Sequence, residues 1–296
     1  MVLMIGSAGC GTSGDAESPT TTALAVTTDV ATTAPDPVST TSTSQPAAAL
    51  TTVATTTTLP ATTAVDPPDW IGTRVLEVDD DGNALPVPTP PELQDRRFRS
   101  VDLLPPPTDG FVATIGPVPD DVLARSTWHA DCPIAPEELA YLTLSFWGFD
   151  DRPHTGELVV NAKFADELAG VFEGLYDAGF PIEEMRVVAA EELDYPPTGD
   201  GNNTTSFVCR PTTGGTSWSQ HAYGLALDVN PFHNPYERDG RVLPELATAY
   251  LDRHDVRPGM ILDGDHAVAA FAAIGWGWGG DFRSLVDYMH FSANNR

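Results

Sequence analysis

The first 73 residues contain no lysine or arginine, and most of them are Thr, Ala, Ser and Pro in runs such as TTVATTTTLPATTAV. A segment without apolar periodicity cannot bury enough surface to offset its ordering entropy, so residues 11–68 are expected to form an extended, disordered tether. The core must come from the remainder. Residues 69–121 are Pro-rich but carry aromatic and charged side chains (PPELQDRRFRSVDLLPPPTDGF) and are read as an ordered arm packed on the domain. The compact domain is expected over residues 122–296, a sufficient length for one hydrophobic core. Ahead of the tether, MVLMIGSAGC ends in small residues and Cys10 before a polar run. That pattern fits the end of a bacterial lipoprotein signal in which Cys10 is lipidated.

Charge and composition remove several function classes. Forty-two acidic against 15 basic residues give a formal net charge of −27, which argues against nucleic acid, whose phosphates are held by clustered Lys and Arg. It also disfavours docking to anionic lipid through a basic patch, so any membrane association is expected only through an N-terminal lipid anchor. Lys163 is the single lysine, and Val160 stands three positions before it. Neither a Walker loop nor a Ser-x-x-Lys enzyme can be built on that arrangement. No apolar run approaches the roughly 20 residues of a membrane helix, and the chain is not expected to span a bilayer.

Within the domain, PEELAYLTLSFW (136–147) reads as a helix entered through Pro136 and two glutamates. GELVVN (156–161) reads as a strand. Asn161 then caps a helix in which Phe164, Leu168, Val171, Phe172 and Leu175 recur at helical spacing up to Gly179. MRVVAA (185–190) and YGLALDVN (223–230) are read as strands, and DHAVAAFAAIG (265–275) as a helix stopped by Gly275. The result is a compact α+β domain with a small antiparallel sheet flanked by helices.

Two histidines sit near carboxylates, His221 in SWSQHAYGLALDVNPFHNPY and His290 in DFRSLVDYMHFS. Strand alternation puts Leu225, Leu227 and Val229 on one face and Gly224, Ala226 and Asp228 on the other. The small residues would leave open space where the loop bearing His221 can approach Asp228. Two imidazoles and a carboxylate form the ligand set of a catalytic zinc with an open position for water. Asp287, three residues before His290, can join them if the segment turns. The seven-residue spacing of His221 and Asp228 also arises by chance, and by itself it leaves a metal site and a coincidental pair both open.

SWSQHAYGLALDVNP resembles the Ser-x-His-x-x-Gly-x-Ala-x-Asp motif of the zinc D-alanyl-D-alanine carboxypeptidase and L-alanyl-D-glutamate peptidase family, the LAS-type bacterial cell-wall peptidases. WGWGGDFRSLVDYMHF resembles that family's closing Trp-Gly-Gly, Asp-x-x-His-Phe segment, and WGFDDRPHTGELVVN and SFVCRP extend the likeness over residues 120–296. The resemblance implies a Hedgehog/DD-peptidase-like fold and one Zn2+ per chain held by His221, Asp228 and His290. It further implies Asp287 as general base, Ser219 as a partner holding the loop, and Arg210 in the place of the family's active-site arginine. Arg186 on the preceding strand competes for that last role. Where relatives show Asn before the Cys, this chain has Val208.

The implied activity is hydrolysis of an amide bond in peptidoglycan stem peptides, by carboxypeptidase or endopeptidase action. A wall-binding module that keeps the fold without turnover is the alternative. The protein is expected to be exported, anchored at the outer face of the cell membrane through Cys10, and monomeric. In an exported domain, Cys132 and Cys209 favour a disulfide over a Cys-based metal site. His154 and Trp278 are candidates to face the cleft, although a structural histidine and a packing tryptophan are equally compatible with the sequence. His129, His233, His254 and His266 show no partner pattern.

Overall fold

The computed structural model describes residues 64–76, 78–79, 85–194, 198–212 and 215–295. Cys10 and nearly all of the expected tether lie outside the described residues. Among the described residues no helix is long and apolar enough to cross a membrane.

The architecture is mixed α and β, with small antiparallel sheets and few helices. The first sheet has the order β1 (Ala113–Pro117), β2 (Leu139–Trp147), β3 (Pro153–Asn161). Residues 139–147 are therefore a strand and not the expected helix; only Pro136–Glu138 form a 3-10 turn. The reason lies in burial on both faces. Leu142, Leu144 and Phe146 enter the main core, while Leu139 and Tyr141 pack in another cluster with Val159 and Phe207. A strand covered on both sides loses the polar alternation that would distinguish it from a helix in sequence.

Helix α1 (Asp120–Arg125) precedes this hairpin, and helix α2 (Ala165–Asp177) packs on it through Leu168, Val171, Phe172 and Leu175. The helix ends as expected: Gly179 adopts φ +66, and the Phe180 amide donates back to the Leu175 carbonyl. Helix α3 (His266–Ala273) is capped by Asp265, whose side chain accepts from the Val268 amide. Phe271 of α3 stacks on Phe291 with centroids 3.9 Å apart, joining the helical layer to the strands that carry the site.

The segment read as a strand over 185–190 is one only at its start. Strand β4 (Glu184–Met185) pairs in parallel with β5 (Asn203–Thr204), and Ala190 already begins a 3-10 turn. Side chains replace the ladder here: the Arg186 amide donates to Asn203 Oδ1, and the Ala189 amide to Glu192 Oε1. Residues 223–230 narrow similarly to β6 (Ala226–Asp228). Gly224, at φ +63, ends a 3-10 turn over Gln220–Tyr223. The space beside Gly224 is not open, because a Cβ there would meet the Asn161 amide nitrogen of β3.

Two further sheets complete the site's support. Strand β7 (Tyr236–Arg238) lies between β8 (Arg241–Leu243) and β10 (Val286–Asp287), and β11 (His290–Ser292) lies between β6 and β9 (Gly277–Trp278). Residues before β1 contribute a separate cluster, in which Leu76, Leu93 and Phe98 pack with Phe232, Leu246, Tyr250 and Met260. The Arg96 amide donates to Tyr250 Oη, and its guanidinium grips Glu183.

His233 is fully buried at this junction, stacked on Phe149 at 4.8 Å. Its Nε2 donates to the Arg96 carbonyl, and its Nδ1 accepts from Asn202 Nδ2. Asn202 is oriented by the Phe232 amide, which donates to Oδ1, so a second ring proton would face a donor. Burial, with help from the nearby arginines, lowers the His233 pKa from 6.5 to about 3. The unfolded chain therefore binds this proton first, and stability is lost as pH falls from 6.5 toward 3. The stability difference between wild type and His233→Gln should shrink by ~1.4 kcal/mol per pH unit below 6.5, measured by urea unfolding at pH 7, 6 and 5. A difference independent of pH would contradict this.

Cys132 and Cys209 form the expected disulfide, closing a separation of 77 residues. It ties the loop after α1 to the segment that carries Arg210. Replacing both cysteines by Ser should cost about 2–4 kcal/mol of unfolding free energy. Denaturant titration of the double variant checks this, and an unchanged midpoint would refute it.

Candidate active site

Each half of the site is placed by a short stretch of backbone. Ser219 starts the 3-10 turn by accepting the His221 amide on its Oγ at 3.3 Å, which holds His221 over β6. The Ser206 carbonyl accepts from His221 Nδ1 at 2.7 Å, leaving Nε2 to face Asp228 Oδ2 at 3.3 Å. A backbone acceptor on one ring nitrogen fixes the tautomer that presents the other as a ligand. Sequence reading missed Ser206, and no side-chain pattern could have revealed it, because the contact is made by a carbonyl.

In the register of β6 and β11, His290 stands directly opposite Asp228, and their side chains approach as a cross-strand pair with Nδ1 to Oδ1 at 3.0 Å. The ligand atoms of His221, Asp228 and His290 all lie within 4.8 Å of one another. Burial alone would raise the pKa of Asp228, but the His221 and His290 imidazoles outweigh it and hold the carboxyl well below its usual range.

Residues 288–289 turn the chain between β10 and β11, so Asp287 and His290 open onto the same cleft, as the three-residue spacing requires. Asp287 is paired with Tyr236 across the β10–β7 ladder. Its Oδ1 is buried with no hydrogen-bond partner among the described residues. Burial and the neighbouring Asp228 charge push its pKa up to about 7, against the opposing pull of His290 and Arg210. Gly279 is needed beside it, since a Cβ there would run into the Asp287 carbonyl oxygen.

These residues share a cleft of about 600 Å3 that is also lined by Arg210, Trp218, Ser219, Tyr236, Arg238 and Phe282. Among the described residues the Arg210 side chain makes one hydrogen bond, from Nη1 to the Pro211 carbonyl. Arg186 is engaged elsewhere, tied to Glu184 and Glu192 outside the cleft. The two expected cleft candidates are not brought to it. His154 is buried between Asp102 and Asp150 at 2.6 and 3.0 Å. Trp278 is buried in the core, donating to the Tyr288 carbonyl. Tyr236 and Arg238 went unread in the sequence, although the Asp239-Gly240 pair signals their hairpin. Both turn residues have positive φ, +52 and +79, as a two-residue type I′ turn demands.

The donor chemistry fits a metal ion: two imidazoles and a carboxylate converge, beside a buried carboxylate oxygen left without a partner. A second group, His129 with Cys132 and Cys209, also brings ligand atoms together, but its sulfurs are joined in the disulfide.

Residues 213–293 match a family model described as D-alanyl-D-alanine carboxypeptidase. The matched span holds His221, Asp228, Asp287 and His290, and supports the zinc carboxypeptidase family that the motifs resemble. No curated protein and no solved structure matches the chain.

Proposed function

From the premise that residues 213–293 carry the pattern of the D-alanyl-D-alanine carboxypeptidase family, we propose that this protein is a zinc-dependent peptidase that hydrolyses an amide bond in peptidoglycan stem peptides. The observation that carries the reading is the convergence of His221, Asp228 and His290 at a cleft that also holds the unpartnered Oδ1 of Asp287. His221 Nε2, Asp228 and His290 would hold the ion, which when bound polarises a carbonyl and lowers the pKa of a water, with coordination left open for both.

The chain's own residues do the rest. Asp287 accepts the proton of the attacking water at a carboxylate oxygen and returns it to the departing amine. Its raised pKa, about 7, suits a group that must take and give a proton near neutrality. Arg210 offers a fixed positive charge for the oxyanion that develops on the attacked carbonyl. Ser219 is no nucleophile in this scheme, because its Oγ is used to hold the His221 amide. In this reading the protein is exported and lipidated at Cys10, and the tether holds the enzyme near its polymer outside the membrane; the Cys132–Cys209 disulfide supports the export.

The test is incubation of the purified chain with defined muropeptides, read by mass spectrometry. Loss of a terminal D-Ala identifies a carboxypeptidase and a cut after L-Ala an endopeptidase. Intact peptides in the presence of zinc-loaded protein would refute the hydrolase and favour a wall-binding module.

A further inference from the structure

One face of the three-stranded sheet β8-β7-β10 forms a wall of the cleft. Tyr236 and Arg238, two apart on β7, lie on that face together with Asp287 of β10, and all three line the cleft. Arg238 belongs to a hairpin closed by the Asp239-Gly240 turn, so its backbone position is fixed by the β7–β8 ladder, where it stands opposite Arg241. Its Cα is two residues along the strand from the Tyr236–Asp287 level, about 7 Å, which is also the span of two residues of an extended peptide.

The guanidinium of Arg238 has little to do in the folded protein. Among the described residues its one ion pair runs from Nε to Asp239 at 3.4 Å, between side chains 56% and 87% exposed. Such a pair contributes almost nothing, and among the described residues neither Nη atom has a hydrogen-bond partner. Arg96, Arg186 and Arg253 are, by contrast, engaged by carboxylates or backbone carbonyls. In a chain of net charge −27, an uncommitted arginine on a rigid cleft wall is a selective feature. Its forked donors match a carboxylate in two-point contact.

Resting on the peptidase reading above, we propose that Arg238 is a specificity-determining residue: it binds a carboxylate that the substrate carries about two residues from the cut bond. The protein then selects stem peptides in which that carboxylate is free over those in which it is an amide. Arg210, carried by the disulfide-linked segment next to Cys209, remains for the reacting carbonyl.

The probes are stem pentapeptides, L-Ala-γ-D-Glu-diaminopimelate-D-Ala-D-Ala, with all carboxylates free or with each amidated singly. Binding is measured by calorimetry on the zinc-loaded full chain carrying Asp287→Asn, and kcat and KM on the chain with Asp287 intact. One amidation should weaken binding and raise KM about tenfold with kcat unchanged. Arg238→Gln should bind every form alike at the weakened level, and Arg238→Lys should restore part of the discrimination. Unaltered zinc content and circular dichroism establish that the exposed substitution leaves the fold intact. Equal loss for all peptides, or none, in Arg238→Gln would overturn the inference. Arg238-dependent discrimination in binding without any cleavage would sustain it and refute the hydrolase; cleavage without such discrimination would do the reverse.

Discussion

Asp287→Asn will lower kcat on the stem peptide by about 10²–10⁴-fold, the usual contribution of a positioned general base, while zinc stays bound at one equivalent per chain. The substitution keeps the volume and one oxygen but removes the ability to take a proton. It acts where the carboxyl is least at ease: Oδ1 is buried without a partner, and burial together with Asp228 raises the pKa to about 7. A buried charge maintained at such a place costs stability, so the variant should unfold at a higher temperature than wild type when both are free of zinc. The pairing of a large loss in rate with a gain in stability separates a catalytic role from a structural one. Activity within threefold of wild type would remove Asp287 from the mechanism.

Asp228→Ala will abolish measurable hydrolysis and weaken zinc binding by more than about 100-fold, the upper end of what losing an outer-shell partner costs. Asp228 is the geometric centre of the group, with His221 Nε2 at 3.3 Å from one oxygen and His290 Nδ1 at 3.0 Å from the other. Its backbone is fixed on both sides, by β11 and by the Thr205 amide and carbonyl. The strand itself should persist, because Leu227 and Val229 stay in the core. Competition with a chromophoric zinc chelator measures the affinity, and near-native zinc binding in the variant would show that the ion is held elsewhere.

How far the sequence reached depended on how local each signal was. The helices over 165–177 and 266–273 were legible because helical spacing and end signals lie within a few residues, although Asn161 caps the 3-10 turn Ala162–Phe164 that leads into the first helix and not the helix itself. The juxtaposition of Asp228 and His290 was not legible from spacing, since the two are 62 residues apart and meet only through the β6–β11 register. The resemblance to known motifs supplied what periodicity could not. Leu139–Trp147 was misread because both faces are covered. The packing of Leu93 and Phe98 against Tyr250 was hidden in a Pro-rich stretch with little regular structure.

His154 and Trp278 show the complementary limit. Their neighbours in sequence resemble family motifs, but a motif does not say which way a side chain faces. His154 satisfies two aspartates inside the fold, and Trp278 fills the core beside the strand that supports His290. The hairpin of Tyr236 and Arg238 carried a readable turn signal in Asp239-Gly240, yet its strands are three residues each, too short for alternation to register.

The most direct test of the central claim is the return of activity during zinc titration of the chelator-treated full chain. Hydrolysis of the stem peptide should fall to background with the chelator and recover linearly up to one equivalent of zinc per chain, with no recovery in Asp228→Ala. Hydrolysis that survives complete removal of zinc, or that Asp228→Ala retains, would contradict a metal centre at His221, Asp228 and His290.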